Sequence, residues 1–265
     1  MRSKKLLSFY TAVTLSLVPF AAKADELQAI KERGVLSVAV DVSYPPFGML
    51  DQKAGETGSD IETARLLARD LGVKLKVVPV SGAARVPFLL SNKVDLVIAS
   101  FSITEERKKV VDYSLPYAVD FLVVAGPKSA PVGKISDLSG KTIAVTRGTT
   151  ADIELTKAVR ADNVNANIVR YEDEATTNTA VVTGQQDLFA ASLATEKSLA
   201  ALNPGKTLDV KFSLANYPLA IGIRKNEPAL KAWLDNWVKA NMKNGALNKI
   251  FVTYFGQELP RNMIN

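Results

Sequence analysis

Residues 95–107 read DLVIASFSITEER. Its first part, 95–100, is apolar and ends on Ser100, which predicts a buried strand. Thr104 is a common helix N-cap residue, and it predicts a helix that continues through Val110. On either side of this stretch, short apolar segments alternate with segments of helical spacing. This alternation is typical of α/β folds with parallel strands.

Arg107 lies in the first turn of the predicted helix, where the helix dipole disfavours a cation. Its position makes sense if an anion lies between the guanidinium, nearby hydroxyls and the free N–H groups of the helix. Arginine suits a carboxylate because it can donate two parallel hydrogen bonds to it. The alternative is an ion pair with Glu105, Glu106 or Asp112, and the residues alone leave both possibilities open.

Further elements follow from the same spacing rules. The predicted helices are 27–33, 60–71, 85–90 and a helical part within 226–255, and the predicted strands include 35–40 and 73–80. Two pairs of segments resemble each other, 34–40 with 140–146 and 92–100 with 184–192. These pairs favour two lobes of similar construction, although the strands of α/β proteins resemble one another in general.

Residues 1–24 predict a cleaved secretory signal peptide, because a positive front precedes an uncharged apolar stretch and an A-x-A cleavage signal. The alternative is a membrane anchor, which is disfavoured because Pro19 interrupts a short apolar run. No Cys follows the cleavage signal to carry a lipid anchor. We therefore expect a periplasmic protein.

The composition excludes several classes of function. The chain contains no Cys and no His, so it lacks a disulfide framework, a thiol nucleophile and the commonest transition-metal ligand. We expect no metal and no cofactor. The formal net charge of +6 falls to +2 when the signal peptide, with its four basic residues, is removed. No dense basic cluster is interleaved with aromatic residues, so nucleic-acid binding is not expected.

Five short motifs carry a family resemblance. They are DVSYPPF at 41–47, GSDIE at 58–62, SFSITEER at 100–107, VDYSLPY at 111–117 and GTT at 148–150. Together they resemble the motifs of the family 3 periplasmic solute-binding proteins, the polar amino-acid binders of ABC importers. Each motif alone is weakly specific, but five in the same order are a specific signal.

The resemblance implies a type II periplasmic-binding-protein fold, in which two α/β lobes close on a ligand in the cleft between them. Residues 119–125 and 218–224 are expected to be the two strands of the hinge. Lobe 1 is expected at 25–121 and 221–265, and lobe 2 at 122–220.

The resemblance also implies roles for individual residues at the ligand carboxylate. Arg107 matches the arginine that binds the α-carboxylate, and Ser102 matches a position that assists through its hydroxyl and amide. Thr150, and with it Thr149, matches lobe 2 groups that reach the same carboxylate from a helix N-terminus.

Other matched positions concern the ligand nitrogen and side chain. Ser100 matches a group that accepts from the α-ammonium, and Tyr44, with Asp41 beside it, matches an aromatic that packs on the ligand. Two positions depart from the family. Ser192 stands where members often have an Asp that pairs with the ammonium, and a hydroxyl cannot neutralise that charge. Ser59 stands where many members have an aromatic lid, which predicts a roomier, more polar pocket.

Arg85 is the predicted specificity residue. Its segment, SGAARVPFLL at 81–90, resembles one in acidic amino-acid binders in which the matching arginine contacts the side-chain carboxylate. A surface arginine, or one paired with an acid of its own lobe, is the alternative. The first expected ligand is therefore an acidic amino acid, and the second is an opine-type conjugate, because of Ser59 and Ser192.

The predicted function is a monomeric binding protein, without catalysis, that delivers its ligand to a membrane permease. The first alternative is an enzyme, because the fold is similar to that of a periplasmic cyclohexadienyl dehydratase. Glu154 and Glu196 are conceivable acids for such an enzyme, but no motif supports either. A sensory module is a further alternative, and it is disfavoured because no signalling domain precedes Asn265 in the sequence.

Overall fold

The structure is a computed structural model that describes residues 25–264. Its helices are α1 Glu26–Arg33, α2 Ser59–Leu71, α3 Arg85–Leu90, α4 Glu105–Lys108, α5 Thr150–Ala161, α6 Glu174–Thr183, α7 Leu193–Leu202, α8 Pro228–Lys243, α9 Ala246–Phe255 and α10 Arg261–Ile264. Its strands are β1 Val35–Val40, β2 Met49–Leu50, β3 Glu56–Thr57, β4 Lys74–Pro79, β5 Leu96–Val97, β6 Val111–Pro127, β7 Thr142–Thr146, β8 Asn167–Tyr171, β9 Leu188–Ser192 and β10 Leu208–Arg224. The mixture of helices and strands confirms the predicted α/β class.

The predicted signal peptide, 1–24, lies outside the described residues. Within 25–264, no helix combines the length and the apolar character that a membrane crossing requires. A crossing takes about 20 apolar residues. The α8 helix has 16 residues and carries charged side chains along its length.

One sheet of eight strands runs through the protein, in the order β4-β1-β5-β10-β6-β9-β7-β8. At one end, β1 lies parallel between β4 and β5. At the other end, β7 lies parallel between β8 and β9. The two ends therefore repeat one arrangement, with β1 matching β7 and β5 matching β9. These are the segments that resemble each other in sequence.

The two longest strands connect the ends of the sheet. β6 and β10 pair antiparallel along almost their whole length, from Val111 with Arg224 to Pro127 with Leu208. β5 pairs with β10, and β9 pairs with β6, so each end of the sheet is attached to one long strand. The predicted crossings at 119–125 and 218–224 lie within these two strands, and four register shifts interrupt their pairing.

The buried apolar side chains form two pairs of clusters, one on each side of the crossing. The first pair is built by residues before 119 and after 218, and the second by residues between 122 and 217. We call these parts lobe 1 and lobe 2. Only Ala194 of lobe 2 packs against a lobe 1 cluster. The chain passes from the lobe 1 clusters to the lobe 2 clusters, and back, close to the predicted lobe limits at 121/122 and 220/221. The limits themselves stay a prediction.

Two predicted elements are shorter than the sequence pattern indicates. The strand predicted at 95–100 forms a ladder only at Leu96–Val97, and Ser100 has a φ of 46° that ends it. The helix predicted through Val110 stops at Lys108, because the chain enters β6 at Val111. Both changes tighten the turn that carries Arg107.

Candidate functional site

The turn between β5 and α4 holds Arg107 in a fixed position. Phe101 is fully buried against Gly222 of β10, where a Cβ atom would lie 2.6 Å from the phenyl ring. Ser102 forms a bridge with Leu219, and the Thr104 Oγ1 accepts from the Arg107 N–H at 3.2 Å. Thr104 is therefore the N-cap that the sequence predicted.

Arg107 is 8% exposed and lies at the junction of the lobes. Its Nη1 donates to the Ser102 carbonyl at 3.0 Å, and its Nη2 donates to the carbonyl of Gly148 in lobe 2 at 3.3 Å. The guanidinium also lies 4.8 Å from the centre of the Phe101 ring. Burial, and then the nearby charge of Arg85, lower the pKa of Arg107 to about 9. This cation is poorly solvated, so an entering carboxylate would stabilise it.

The ion pairs predicted as the alternative for Arg107 do not form. Glu105 pairs with Lys108, and Asp112 pairs with Lys225. Among residues 25–264, no carboxylate lies within ion-pair distance of Arg107. The acceptors of this cation are backbone carbonyls, and a ligand carboxylate would be a stronger acceptor.

Arg85 lies beside Arg107 and is 3% exposed, so it is not a surface residue. Its guanidinium donates to the carbonyls of Gly82, Ala99 and Ser100 in lobe 1, and to that of Gly148 in lobe 2 at 3.3 Å. Within the described chain it has no ion pair either. Neither alternative for Arg85 is therefore observed.

Lobe 2 meets the two arginines with the start of α5. Thr149 is the N-cap of this helix, and its Oγ1 accepts from the Asp152 N–H and donates to the Thr146 carbonyl. The Thr150 Oγ1 donates to the Ser102 Oγ at 2.8 Å across the cleft. Thr150 therefore contacts lobe 1, whereas the hydroxyl of Thr149 is used within lobe 2. We call Arg85, Arg107, Gly148 and Thr150 the arginine end of the cleft.

Asp41 and Tyr44 lie beyond the end of β1 and are 4% and 5% exposed. The Asp41 Oδ1 accepts from the N–H and the Oγ of Ser43. Burial raises the pKa of Asp41 and, more strongly, that of the Tyr44 phenol. The centres of the Tyr44 and Phe47 rings lie 4.9 Å apart. Contact of Tyr44 with a ligand stays a prediction.

Asp60 fixes the position of Ser100, and sequence reasoning missed it. Its Oδ2 accepts from the Ser100 N–H at 2.6 Å, and its Oδ1 accepts from the Tyr117 hydroxyl at 2.7 Å. Burial raises the pKa of Asp60 to about 6. Asp60 lies in the GSDIE motif, which was the available signal for it.

Ser192 has an acid as its partner. It is fully buried at the end of β9, caps α7 through the Ala194 N–H, and donates its Oγ to the Asp120 Oδ1. Asp120 lies on β6, and burial raises its pKa to about 7. An Asp at position 192 would extend into the volume that the Asp120 carboxyl occupies. The carboxyl that is absent at position 192 is therefore replaced nearby by the carboxyl of Asp120.

Glu174 is a second acid that sequence reasoning missed. It is the first residue of α6 and is 3% exposed, and its Oε2 is buried without a hydrogen-bond partner. Burial, and then the charge of Asp41 across the cleft, raise the pKa of Glu174 to about 8. We call Asp41, Asp120 and Glu174 the acid end of the cleft.

The hydrogen bonds of Ser59 are local to the start of α2. It is buried at the start of α2, where its N–H donates to the Pro46 carbonyl and its carbonyl accepts from Thr63. It lines a small gap between aromatic side chains of lobe 1, including Phe47 and Phe255. The predicted effect of Ser59 on the cleft stays a prediction.

A pocket of about 220 Å³ opens next to the acid end. Asp120 and Ser192 form part of its wall, together with Lys197 of α7 and Tyr254 of α9. The pocket lies where α7 of lobe 2 faces α9 of lobe 1. A ligand group that extends past Asp120 would therefore find space there.

Comparison with known proteins agrees with this geometry. The family model of the bacterial extracellular solute-binding proteins, family 3, matches residues 36–257. This chain belongs to that family. The sequence resemblance drawn from five motifs is thereby confirmed, as is the type II two-lobe fold.

Individual relatives bind different amino acids, and one is an enzyme. The chain is 29% identical over 248 residues to an L-cystine-binding protein of Escherichia coli, with 90% of each chain covered. It is 28% identical over 247 residues to a cyclohexadienyl dehydratase of Pseudomonas aeruginosa, covering 89% of this chain and 88% of the relative. A crystal structure of a solute receptor for L-cysteine from Neisseria gonorrhoeae matches with a TM-score of 0.81 at 30% identity, covering 89% of this chain and 98% of the receptor.

Proposed function

We propose that this protein captures an α-amino acid, or a closely related carboxylate, for an ABC importer. The observation that carries the proposal is the pair of buried guanidiniums, Arg85 and Arg107, which face the start of α5 without any carboxylate partner among the described residues. Two such cations are costly unless an anion joins them. Relatives of this chain bind L-cystine, glutamine and L-arginine, which supports an amino acid as that anion.

Closure of the lobes is the proposed mechanism. In the structure, the lobes already touch through Thr150 and Ser102 and through Gly148 and both arginines. A carboxylate bound between Arg107 and Thr150 would replace weak contacts to a carbonyl with charge-assisted hydrogen bonds from both lobes. The ligand then favours the closed state because it binds that state more tightly than the open one.

The identity of the ligand rests on Arg85. Four of its five N–H groups donate to backbone carbonyls, so one remains for a second ligand carboxylate, as an acidic amino acid would supply. An opine-type conjugate is the second candidate, supported by the pocket beside Asp120. The carboxyls of the acid end instead favour a ligand with additional positive charge rather than a second carboxylate. Neutral and basic amino acids therefore belong in any test.

The cellular role follows from the family and the N-terminal sequence. We propose export through the predicted signal peptide at 1–24, residence in the periplasm as a monomer, and docking of the closed form on a membrane permease. The family description as extracellular solute-binding proteins supports export.

A dehydratase is the second candidate, because one relative is a cyclohexadienyl dehydratase and Glu174 could donate a proton. A buried carboxyl with a pKa of about 8 is protonated at neutral pH, as a general acid requires. The acids considered from sequence are less suitable. Glu154 is occupied by Tyr217, and Glu196 lies on α7, where Asp209 is its main charged neighbour. Incubation with prephenate and arogenate, followed by a product assay, tests this candidate.

A thermal-shift screen of the purified protein, freed of ligand by unfolding and refolding, tests the proposed function. The panel contains the twenty amino acids, L-cystine, opines and prephenate. A ligand at about 1,000 times its Kd adds about 4 kcal/mol to the free energy of unfolding, which is an easily measured shift. Stabilisation by an amino acid or an opine supports the proposal, and the absence of any response from the amino acids, L-cystine and the opines contradicts it.

A further inference from the structure

The α-ammonium of a bound amino acid needs an anionic partner. At position 192, where family members often have an acid, this chain has an uncharged residue. Ser192 offers only a hydroxyl there, and that hydroxyl already donates to Asp120. An ammonium buried in a closed cleft requires a carboxylate or several acceptors around it. The chain must therefore supply the acid from another element.

Glu174 is held at the start of α6 in lobe 2, with one of its carboxyl oxygens unpartnered. Asp173 caps α6 by accepting from the Thr176 N–H, which fixes the helix start. Beneath the helix, the hydroxyls of Thr146 and Thr177 are hydrogen bonded to each other at 2.7 Å. The Oε2 of Glu174 has no hydrogen-bond partner, although the side chain is 3% exposed.

The groups that face Glu174 across the cleft do not satisfy it. The charges that act on it are those of Asp41 and Arg85 from lobe 1 and of Asp120 from the crossing strand, and its own charge helps to raise the pKa of the Tyr44 phenol. Arg85 donates to carbonyls and makes no ion pair with Glu174. Two acids thus face a third, and a cation between them would stabilise all three.

We propose that Glu174 is the acid that binds the α-ammonium of the ligand, in place of the acid that the family carries at the position of Ser192. The assignment rests on the proposed function and names its ligand class more narrowly, as an amino acid with a free α-ammonium. Arg107 and Thr150 hold the carboxylate at the arginine end, and Glu174 holds the nitrogen at the acid end.

Asp120 and Asp41 are less suited to the same role. The Oδ1 of Asp120 is held by the Ser192 hydroxyl, and the Oδ1 of Asp41 is held by two donors of Ser43. The Oε2 of Glu174 is buried and makes no hydrogen bond. The hydroxyl of Thr146 acts on the same carboxyl and lowers its pKa, but burial outweighs this effect.

Isothermal titration calorimetry of three proteins tests the assignment: the wild type, Glu174→Gln, and Glu172→Gln as the control. Glu172 is an exposed acid two residues away that pairs with Arg147. The probes are the twenty amino acids and L-cystine, and the same acids with hydrogen in place of the α-amino group. A third variant, Glu174→Asp, keeps the charge.

The assignment predicts that Glu174→Gln weakens binding of the amino acid by roughly tenfold or more, and that Glu172→Gln leaves it unchanged. The amine-free acid should bind the wild type and Glu174→Gln equally, and Glu174→Asp should recover part of the affinity. Unchanged affinity of Glu174→Gln for the amino acid would overturn the assignment and leave the proposed function intact. An equal loss for the amino acid and its amine-free counterpart would also overturn it, because the effect would then not depend on the ammonium. Failure of every amino acid to bind the wild type would overturn the assignment of Glu174, and failure of the opines as well would overturn the proposed function.

Discussion

The arginine end and the acid end of the cleft are both buried, but they differ in how their charges are satisfied. At the arginine end, both guanidiniums donate to backbone carbonyls, and the lobes touch through Gly148 and Thr150. At the acid end, Glu174 has an oxygen without a partner, and the carboxyls of Asp41 and Asp120 lie near it. The lobes can therefore come together at the arginine end without a ligand, whereas the carboxyls of the acid end need a cation between them.

The difference indicates how an empty cleft is kept from closing too tightly. Carboxyls that are ionised in a closed cleft without cations repel one another and lose their solvation. A zwitterionic amino acid removes this cost, because its ammonium pairs with the carboxyls while its carboxylate binds the arginines. The acid end would then make closure depend on the ligand, and the arginine end would provide most of the affinity.

Replacement of Arg107 should have the largest effect. In Arg107→Ala, the ligand carboxylate loses its main partner in a buried site, which costs about 2–5 kcal/mol, or at least 30-fold in Kd. Calorimetry with the amino acid that most stabilises the wild type measures the loss. Arg69→Ala, at an exposed arginine, is the matched control. Equal affinities of Arg107→Ala and wild type would show that the arginine end does not bind the ligand.

Gly148→Ala should block closure at the arginine end. A Cβ atom at Gly148, which has a φ of +72°, would lie 2.9 Å from the Cα of Ala83 in lobe 1. Gly140 has nearly the same φ, +70°, but no atom within 4 Å, so Gly140→Ala carries the same backbone strain without the clash. We expect about tenfold or greater loss of affinity in Gly148→Ala relative to Gly140→Ala, measured by calorimetry. If both variants bind alike, the lobes do not meet at Gly148 in the bound state.

The acid end should make the empty protein sensitive to pH. Burial in the closed cleft raises the pKa of Glu174 to about 8 and that of Asp120 to about 7. Because the closed form holds these protons more tightly than an open, solvated form, closure is favoured at low pH and lost as pH rises through about 7 to 8. The closing equilibrium should fall by up to about tenfold per pH unit for each group. Small-angle scattering of the ligand-free protein at pH 6 and pH 8.5 measures this, and Glu174→Gln should reduce the change. A radius independent of pH would contradict the prediction.

Thr150→Val should have the smallest effect. The substitution keeps the shape but removes one neutral hydrogen bond to Ser102, worth about 0.5–1.5 kcal/mol, which is about two- to twelvefold in Kd. Thr253→Val, at an exposed hydroxyl that donates to a helix carbonyl, is the control in the same calorimetric measurement. A loss as large as that of Arg107→Ala would mean that α5, rather than Arg107, provides most of the carboxylate affinity.

The sequence predicted the arginine end far better than the acid end. Thr104 is the N-cap that local chemistry predicts, and Arg107 stood out because a cation is unfavourable in the first turn of a helix. β1 and α3 also have the predicted bounds, because apolar spacing is a local property. Arg85 and Thr150 were reached only through the family resemblance, and the ligand roles of all three cleft residues stay predictions.

Of the acid end, the sequence indicated Asp41 but neither Asp120 nor Glu174. Glu174 follows a capping Asp at a helix start, where acidic residues are common because of the helix dipole. Only the packing of α6 against β7 and of lobe 2 against lobe 1 makes this acid buried. Asp120 meets Ser192 because β6 pairs with β9, a contact between residues 72 positions apart in sequence. Asp60 likewise binds the Ser100 N–H from another element, 40 residues away in sequence.

Small-angle scattering with and without ligand, at pH 8, tests whether the two lobes close on the ligand. We expect the ligand-free protein to have a larger radius of gyration than the protein saturated with its amino acid, and Gly148→Ala to stay large in both conditions. Binding that calorimetry detects, with no change in the radius of the wild type, would contradict the claim that the lobes close on the ligand.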